Sequence, residues 1–297
     1  MQEFGAEHTL LKQEVVLDYL RAYLTVMRKQ RFRLSYIDAF AGSGWRRSGT
    51  DAIQDGLLLQ DKEAAMGCAL SVLRMPKDFR FHRYVLGDLM RGNVRSLRAA
   101  YDAALAGGEN VPPPEAVQIL RGDANRLVEA ECQRLEKLPN DRAVMFLDPY
   151  GMQVSWRTLE RIAISGKIDL WLLVPTGMAL ARVMPRHGDV PPSWRKALDR
   201  FFGGPDWKSD LFTQTEPDLF GVSTQRRDAT LQDITDYVLR RLRDLFGPGV
   251  HPSGLDLSIA GRRSYLLAFA CANRNSAAFG PALRIADHLM REAKGAR

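Results

Sequence analysis

The first strand-like run of the chain ends in one acidic residue followed by two glycines. These residues, 38–44, read Asp-Ala-Phe-Ala-Gly-Ser-Gly. Glycine lets the backbone turn tightly and approach a ligand that a side chain would exclude. In open α/β sheets, ligands bind beyond the carboxyl ends of the strands. The run therefore predicts a ligand site on the turn that contains Gly42 and Gly44, and a plain strand-to-helix turn is the alternative.

The spacing of these glycines departs from the dinucleotide-binding fingerprint. A G-x-G-x-x-G motif that starts at Gly42 needs a glycine at position 47, where this chain has Arg47 after the bulky Trp45 and Arg46. This departure disfavours an NAD- or FAD-dependent oxidoreductase.

Two further acids close the next two strand-like runs. Asp88 is placed to accept hydrogen bonds from both hydroxyls of a ribose, and Asp123 to accept one from the amino group of an adenine. Each is also a favourable N-cap for the helix that follows it. A glycine turn together with acids at two successive strand ends favours the ligand interpretation over coincidence.

The run Asp148-Pro149-Tyr150-Gly151 ends a fourth apolar stretch. It resembles the D-P-P-Y motif of amino-group methyltransferases, in which polar groups hold an exocyclic NH₂ and the aromatic ring stacks on a flipped base. One proline is missing, so Tyr150 lies one position early. The alternative is a type I turn, whose preferences Asp, Pro and Gly satisfy in order.

The hydrophobic pattern alternates between strands and helices. Strands are predicted at 34–40, 82–88, 116–123, 143–151 and 168–175, and helices at about 9–29, 62–73, 229–246 and 277–293. Such alternation indicates βαβ units. Two late apolar runs around Gly261 predict a hairpin. We predict an α/β Rossmann-like fold of class I methyltransferase type, with an N-terminal helix and a mostly parallel sheet ending in a β-hairpin.

We expect one domain, 1–297, because the alternation resumes after a single interruption. The interruption, 176–228, is rich in proline, glycine, tryptophan and charge, which indicates an insertion or lid of short helices. Residues 45–61 are predicted to be a loop.

The composition limits the class of protein and its partners. The net charge is +7, which favours a polyanionic partner such as nucleic acid or reflects an arginine-rich genome. The three cysteines and five histidines are scattered, so we expect no metal site. No signal peptide or membrane-length apolar run is present, so a cytoplasmic protein without a membrane partner is expected.

Several segments together resemble the three-Cys-motif partner protein family: YIDAFAGSG, the strand-end GD, FLDPYG with Val154-Ser155-Trp156, and IDLWLLVPTGMALAR. The resemblance covers most of the chain. It implies a Rossmann-like methyltransferase fold and association with a radical-SAM-type protein that bears the three-cysteine motif. FAGSG and DPYG also look like the adenine-N6 methyltransferases of DNA and ribosomal RNA.

These observations lead to one expected function and one alternative. The expected function is transfer of a methyl group from S-adenosylmethionine (SAM) to an amino nitrogen, with nucleic acid as a candidate acceptor. The predicted cofactor residues are Asp38, Phe40, Gly42, Gly44, Asp88, Asp123 and Ala124, and the predicted catalytic residues are Asp148, Pro149 and Tyr150. The alternative is a methyltransferase-like module that binds a partner enzyme without transfer activity.

Overall fold

The computed structural model describes residues 4–45, 66–186, 189–214, 225–259 and 262–295. The chain divides into two compact units, one formed by Gln13–Asp148 and the other by Met1–Lys12 with Pro149–Arg297. Strands alternate with helices in both units, which confirms the predicted α/β class. The expectation of one domain stays a prediction.

The unit Gln13–Asp148 is a parallel α/β layer. Its elements are α1 (Phe4–Met27, which begins before the unit), β1 (Arg33–Asp38), α2 (Cys68–Leu73), β2 (Arg83–Asp88), α3 (Arg91–Ala106), β3 (Val117–Arg121), α4 (Ala124–Glu136) and β4 (Asp141–Leu147). The strand order is β3-β2-β1-β4, and every pair is parallel. The carboxyl ends of the four strands therefore lie along one edge.

The inner strands of this unit are buried on both faces. Asp38 pairs with Leu86 on one side and with Phe146 on the other, and all three side chains are at most 2% exposed. Near-continuous apolar runs are typical of parallel strands that are covered on both faces. Gly87 of β2 packs closely under α4, because a Cβ there would lie 2.4 Å from Leu127 Cδ1 and this side chain would have to move.

An ion-pair network ties the amino ends of these strands to α4. Buried Glu131 accepts hydrogen bonds from Arg83 (2.5 Å) and Arg134 (3.0 Å), and Arg134 also pairs with Asp141 (2.8 Å). Burial raises the pKa of Glu131, but the two guanidinium groups outweigh it, and the net pKa is below the ordinary value. Arg134 also donates to the hydroxyl of Ser35 in β1. The network thus joins three strands and one helix.

The unit that includes Pro149–Arg297 contains an antiparallel layer. Its elements are α5 (Trp156–Ser165), β5 (Ile168–Val174), α6 (Pro192–Phe202), α7 (Trp207–Leu211), β6 (Thr213–Gln214), β7 (Gln225–Arg226), α8 (Leu231–Phe246), β8 (Leu255–Ile259), β9 (Arg262–Cys271) and α9 (Ser276–Gly295). The order β5-β9-β8 is antiparallel throughout. The antiparallel pairing of β8 with β9 confirms the two strands of the predicted hairpin, with a bulge between Leu257 and Ser258, and the predicted turn at Gly261 lies outside the described residues.

Three predicted segments differ from the structure or lie partly outside the described residues. The helix predicted at 62–73 is seen from Cys68 to Leu73, and residues 62–65 lie outside the described part, as do 46–61 of the predicted loop. The insertion contains α6, α7 and the β6–β7 pair, and 187–188 and 215–224 lie outside. A π-helical turn, Thr176–Leu180, begins the insertion, and no sequence pattern indicated it. The lid role stays a prediction.

Among the described residues, no helix combines the length and the apolar character needed to cross a bilayer. The same residues contain no group of three or more His, Cys, Asp or Glu side chains arranged to hold a metal ion.

A buried histidine in the second unit predicts a pH-dependent stability. The Nδ1 atom of His251 accepts the backbone N–H of Gly254 at 3.0 Å, and its Nε2 lies 3.3 Å from Asp287 Oδ1. Burial lowers the pKa of His251 below its ordinary value of 6.5, although Asp287 opposes the shift. Below that value the unfolded chain takes up a proton that the folded chain resists. Stability should therefore fall as the pH drops through 6.5 toward the lower folded pKa.

We expect His251→Gln to remove this contribution, which is at most about 1.4 kcal/mol per pH unit. Urea unfolding at about pH 7.5 and about pH 5.5 measures it, on either side of the ordinary histidine pKa. His288→Gln is the matched control, because the His288 side chain is 69% exposed. Equal pH slopes for the wild type and His251→Gln would contradict the prediction.

Candidate functional site

Asp38 shapes the turn at the end of β1. Its Oδ1 accepts the backbone N–H of Phe40 at 3.0 Å, and its Oδ2 lies 3.5 Å from the hydroxyl of Tyr36. Burial, followed by the nearby Cys68 and Asp38, raises the pKa of Tyr36 well above its ordinary value, so Tyr36 stays a neutral donor. Asp38 is 2% exposed, and its visible role is to hold the backbone of the turn.

The two glycines of this turn have different surroundings. Gly42 has φ +64°, and a Cβ built there meets no atom of the described residues within 4 Å. Gly44 has φ +84°, and a Cβ there would lie 2.8 Å from Leu70 and 2.9 Å from Leu97. Gly44 is therefore required by packing against α2 and α3, whereas no described residue fills the space at the Cβ position of Gly42. Contact between Gly44 and a cofactor stays a prediction.

Asp88 joins this turn to the start of α3. Its Oδ2 accepts the N–H of Gly42 at 3.1 Å, and its Oδ1 accepts the N–H of Met90 at 2.7 Å and the amide of Asn93 at 3.1 Å. A carboxylate offers about four acceptor positions. These three donors leave room for about one more hydrogen bond, on Oδ2. Asp88 therefore has capacity for one ribose hydroxyl rather than two.

Asp88→Ala should lower both stability and cofactor affinity. The partly buried hydrogen bonds from Gly42, Met90 and Asn93 lose their acceptor, at a cost of about 1–3 kcal/mol in the free energy of unfolding. Urea unfolding and SAM calorimetry on the same preparation measure the two effects. Asp123→Ala is the comparison, with an expected loss of about 1 kcal/mol for a helix cap. Unchanged stability of Asp88→Ala would contradict the hydrogen-bond scheme.

Asp123 is the N-cap of α4. Its Oδ1 accepts the backbone N–H of Arg126 at 3.1 Å, and the side chain is exposed. The capping alternative is thus confirmed, while the hydrogen bond to an adenine stays a prediction. Ala124, the first residue of the helix, is 8% exposed.

Sequence reasoning missed two apolar side chains that directly follow Asp88. Leu89 and Met90 are 57% and 62% exposed, although large apolar side chains are more often buried. Arg121 Nε donates to the carbonyl oxygen of Leu89 at 3.3 Å and fixes the backbone there. The sequence pattern that could have indicated them is Gly-Asp-Leu-Met at 87–90, in which two apolar residues directly follow the acid at the end of a strand. The pair offers an apolar surface beside the turn.

The predicted catalytic run follows β4. Asp148 is partly buried, Pro149 is buried and Tyr150 is 72% exposed. The N–H of Tyr150 donates to Gln153 Oε1 at 3.3 Å, and Gly151 has φ +66°. The boundary between the two units falls between Asp148 and Pro149. Asp148 thus belongs with Asp38, Asp88 and Asp123, each of which ends or closely follows a parallel strand of one unit.

Comparison with known proteins gives no family for this chain. No family model matches it, and no curated protein matches it. Among solved structures it is similar to protein LPL1258 from Legionella pneumophila str. Philadelphia 1, described by the family model DUF519, with 15% sequence identity and a TM-score of 0.36. The match covers 88% of this chain and 96% of that chain. A likeness at this TM-score carries no argument about function.

Proposed function

We propose that this protein is a SAM-dependent methyltransferase that acts on an amino nitrogen of nucleic acid. The observation that supports the proposal most strongly is the open turn at Gly42, whose N–H is held by Asp88 Oδ2 at 3.1 Å. Ligands of open α/β folds bind at this edge of the sheet. The exposed Leu89 and Met90 lie next to Asp88 in the chain.

The groups at this edge suit the parts of SAM. The space beside Gly42 admits a ligand close to the backbone, the remaining acceptor position of Asp88 suits one ribose hydroxyl, and Leu89 with Met90 suits the face of an adenine ring. When bound, SAM would supply a methyl group on a positively charged sulfur, which would leave as a neutral thioether without help from a general acid. The methylated nitrogen would then release one proton. What remains for the protein is to position the acceptor and exclude water.

Asp148 and Tyr150 are the residues proposed to handle the acceptor. A carboxylate at the end of β4 can accept hydrogen bonds from an amino group and orient its nitrogen. An exposed aromatic ring two residues later can stack on an unpaired base, an interaction worth about 1–3 kcal/mol. The exposure of Tyr150 (72%) supports a role toward a ligand rather than in the core.

Calorimetry with SAM, followed by transfer of a radiolabelled methyl group to total RNA, total DNA and protein, tests the proposal. Titration with NAD under the same conditions is the control for a different adenine-containing cofactor. We expect SAM to bind, NAD not to bind, and label to appear in nucleic acid. A protein that binds NAD and not SAM would refute the proposal.

A second candidate is a methyltransferase-like module that partners a radical-SAM-type protein without transfer activity of its own. It is favoured by the altered target motif, since the run after β4 has one proline rather than two and Tyr150 is displaced by one position. SAM binding without methyl transfer to any of the three acceptor pools, together with co-purification of a three-cysteine-motif protein, would support this candidate over the first.

A further inference from the structure

Two arginines of the insertion are held side by side. The backbone N–H of Arg227 donates to the carbonyl oxygen of Arg186 at 3.0 Å, which brings these two distant segments of the insertion together. Arg227 Nη1 donates to the carbonyl oxygen of Ala229 at 3.0 Å, and its Nε is buried without a hydrogen-bond partner. Arg186 is exposed. The Arg227 side chain is therefore fixed by backbone contacts rather than by a charge.

The positive charge at this pair is not neutralised by the neighbouring acid. Asp228 is engaged by Arg226 Nε at 2.6 Å and by the hydroxyl of Thr213. Within the described ranges, no carboxylate lies at ion-pair distance from the guanidinium of Arg186 or Arg227. Burial, followed by the charge of Arg186, lowers the pKa of Arg227. Two neighbouring like charges, one of them partly desolvated, are unfavourable until an anion joins them.

We infer that Arg186 and Arg227 form an anion site that binds a backbone phosphate of nucleic acid. The planar guanidinium groups can each donate two parallel hydrogen bonds to phosphate oxygens. The choice of nucleic acid over other polyanions rests on the proposed function. The net charge of +7 favours the same class of partner. The insertion thus adds a phosphate contact to substrate binding, from residues far along the chain from those at the strand ends.

Fluorescence anisotropy with a labelled single-stranded RNA of mixed sequence, over a range of salt concentrations, tests this inference. We expect the Arg186→Gln, Arg227→Gln double variant to bind about tenfold more weakly or worse, since hydrogen bonds to charged groups are lost. The slope of log affinity against log salt should fall by about 0.7, as expected for one lost phosphate contact on a single strand. SAM affinity should be unchanged.

The matched control is Arg240→Gln with Arg291→Gln, which removes the same charge from arginines already paired with Asp210 and Asp287. If the first double variant does not fold, Arg186→Glu alone replaces it, because this side chain is exposed. RNA affinity that falls equally in test and control variants would overturn the inference. Equal binding of polyglutamate through the same arginines would overturn the choice of nucleic acid.

Failure of this inference is separable from failure of the proposed function. Arginine-dependent RNA binding without SAM binding would refute the methyltransferase and leave the phosphate site standing. SAM binding and methyl transfer, together with RNA binding that does not depend on Arg186 and Arg227, would refute the phosphate site and leave the methyltransferase standing.

Discussion

Gly42→Val should lower the affinity for SAM by about 100-fold or more, which corresponds to about 2.7 kcal/mol. The new side chain would project into the space beside the turn, where a Cβ meets no atom of the described part of the chain within 4 Å. The left-handed backbone of Gly42 adds about 1–2 kcal/mol of strain for any side chain. Calorimetry with SAM and urea unfolding measure the two effects separately.

Gly108→Val is the matched control for that strain. Gly108 has φ +70° and open space at the Cβ position, but it lies just beyond the C-terminal end of α3. We expect both variants to lose similar stability, while only Gly42→Val loses affinity for SAM. Gly44→Val should instead unfold more easily, because its side chain meets Leu70 and Leu97. If Gly42→Val binds SAM with wild-type affinity, the proposal that the cofactor binds at this turn is refuted.

Asp148→Ala should slow methyl transfer by roughly two or more orders of magnitude, as the loss of one preorganised polar partner can do. SAM affinity should stay within about threefold, since Asp148 is assigned to the acceptor and the cofactor is assigned to the residues after β1 and β2. Single-turnover methyl transfer at saturating SAM measures the rate. If Asp148 is only a turn residue, activity will fall in proportion to the unfolded fraction, which urea unfolding reports.

Tyr150 variants complete the test of the acceptor side. Tyr150→Ala removes a ring worth about 1–3 kcal/mol of stacking, so it should weaken the substrate and slow the reaction. Tyr150→Phe keeps the ring and should have a mild effect. The N–H of Tyr150 that donates to Gln153 belongs to the backbone, so both substitutions preserve it. Equal activity of the alanine and phenylalanine variants would exclude stacking.

The order of strands and helices could be predicted from the sequence because the spacing of apolar residues reflects which positions are buried. The runs around Tyr36, Val85 and Val144 are continuous and apolar, and each forms a strand at most 1% exposed at these positions. The predicted bounds of β1, β2, β4 and β5 differ from the structure by a few residues at most. Turn residues and helix caps account for most differences, since propensity alone does not fix where a strand ends.

The candidate site was predictable in position but not in detail. The hydrogen-bond donors around an acidic side chain decide how many of its acceptor positions are left for a ligand. These donors can be distant in sequence, since Gly42, whose N–H donates to Asp88, lies 46 positions away. The difference between Gly42 and Gly44 depends on where Leu70 and Leu97 pack. Such contacts are tertiary, so residue type and spacing do not reveal them.

The ion pairs around Glu131 lie at the amino ends of β1, β2 and β4, the opposite edge of the same strands from Gly42 and Asp88. The proposed ligand contacts and this ion-pair network thereby lie at opposite ends of the same strands. A substitution of Gly42 or Asp88 removes no member of this network, so the turn can change while these ion pairs are kept. The same separation makes the carboxyl edge the natural place to redesign specificity, with Glu131 and its arginines left unchanged.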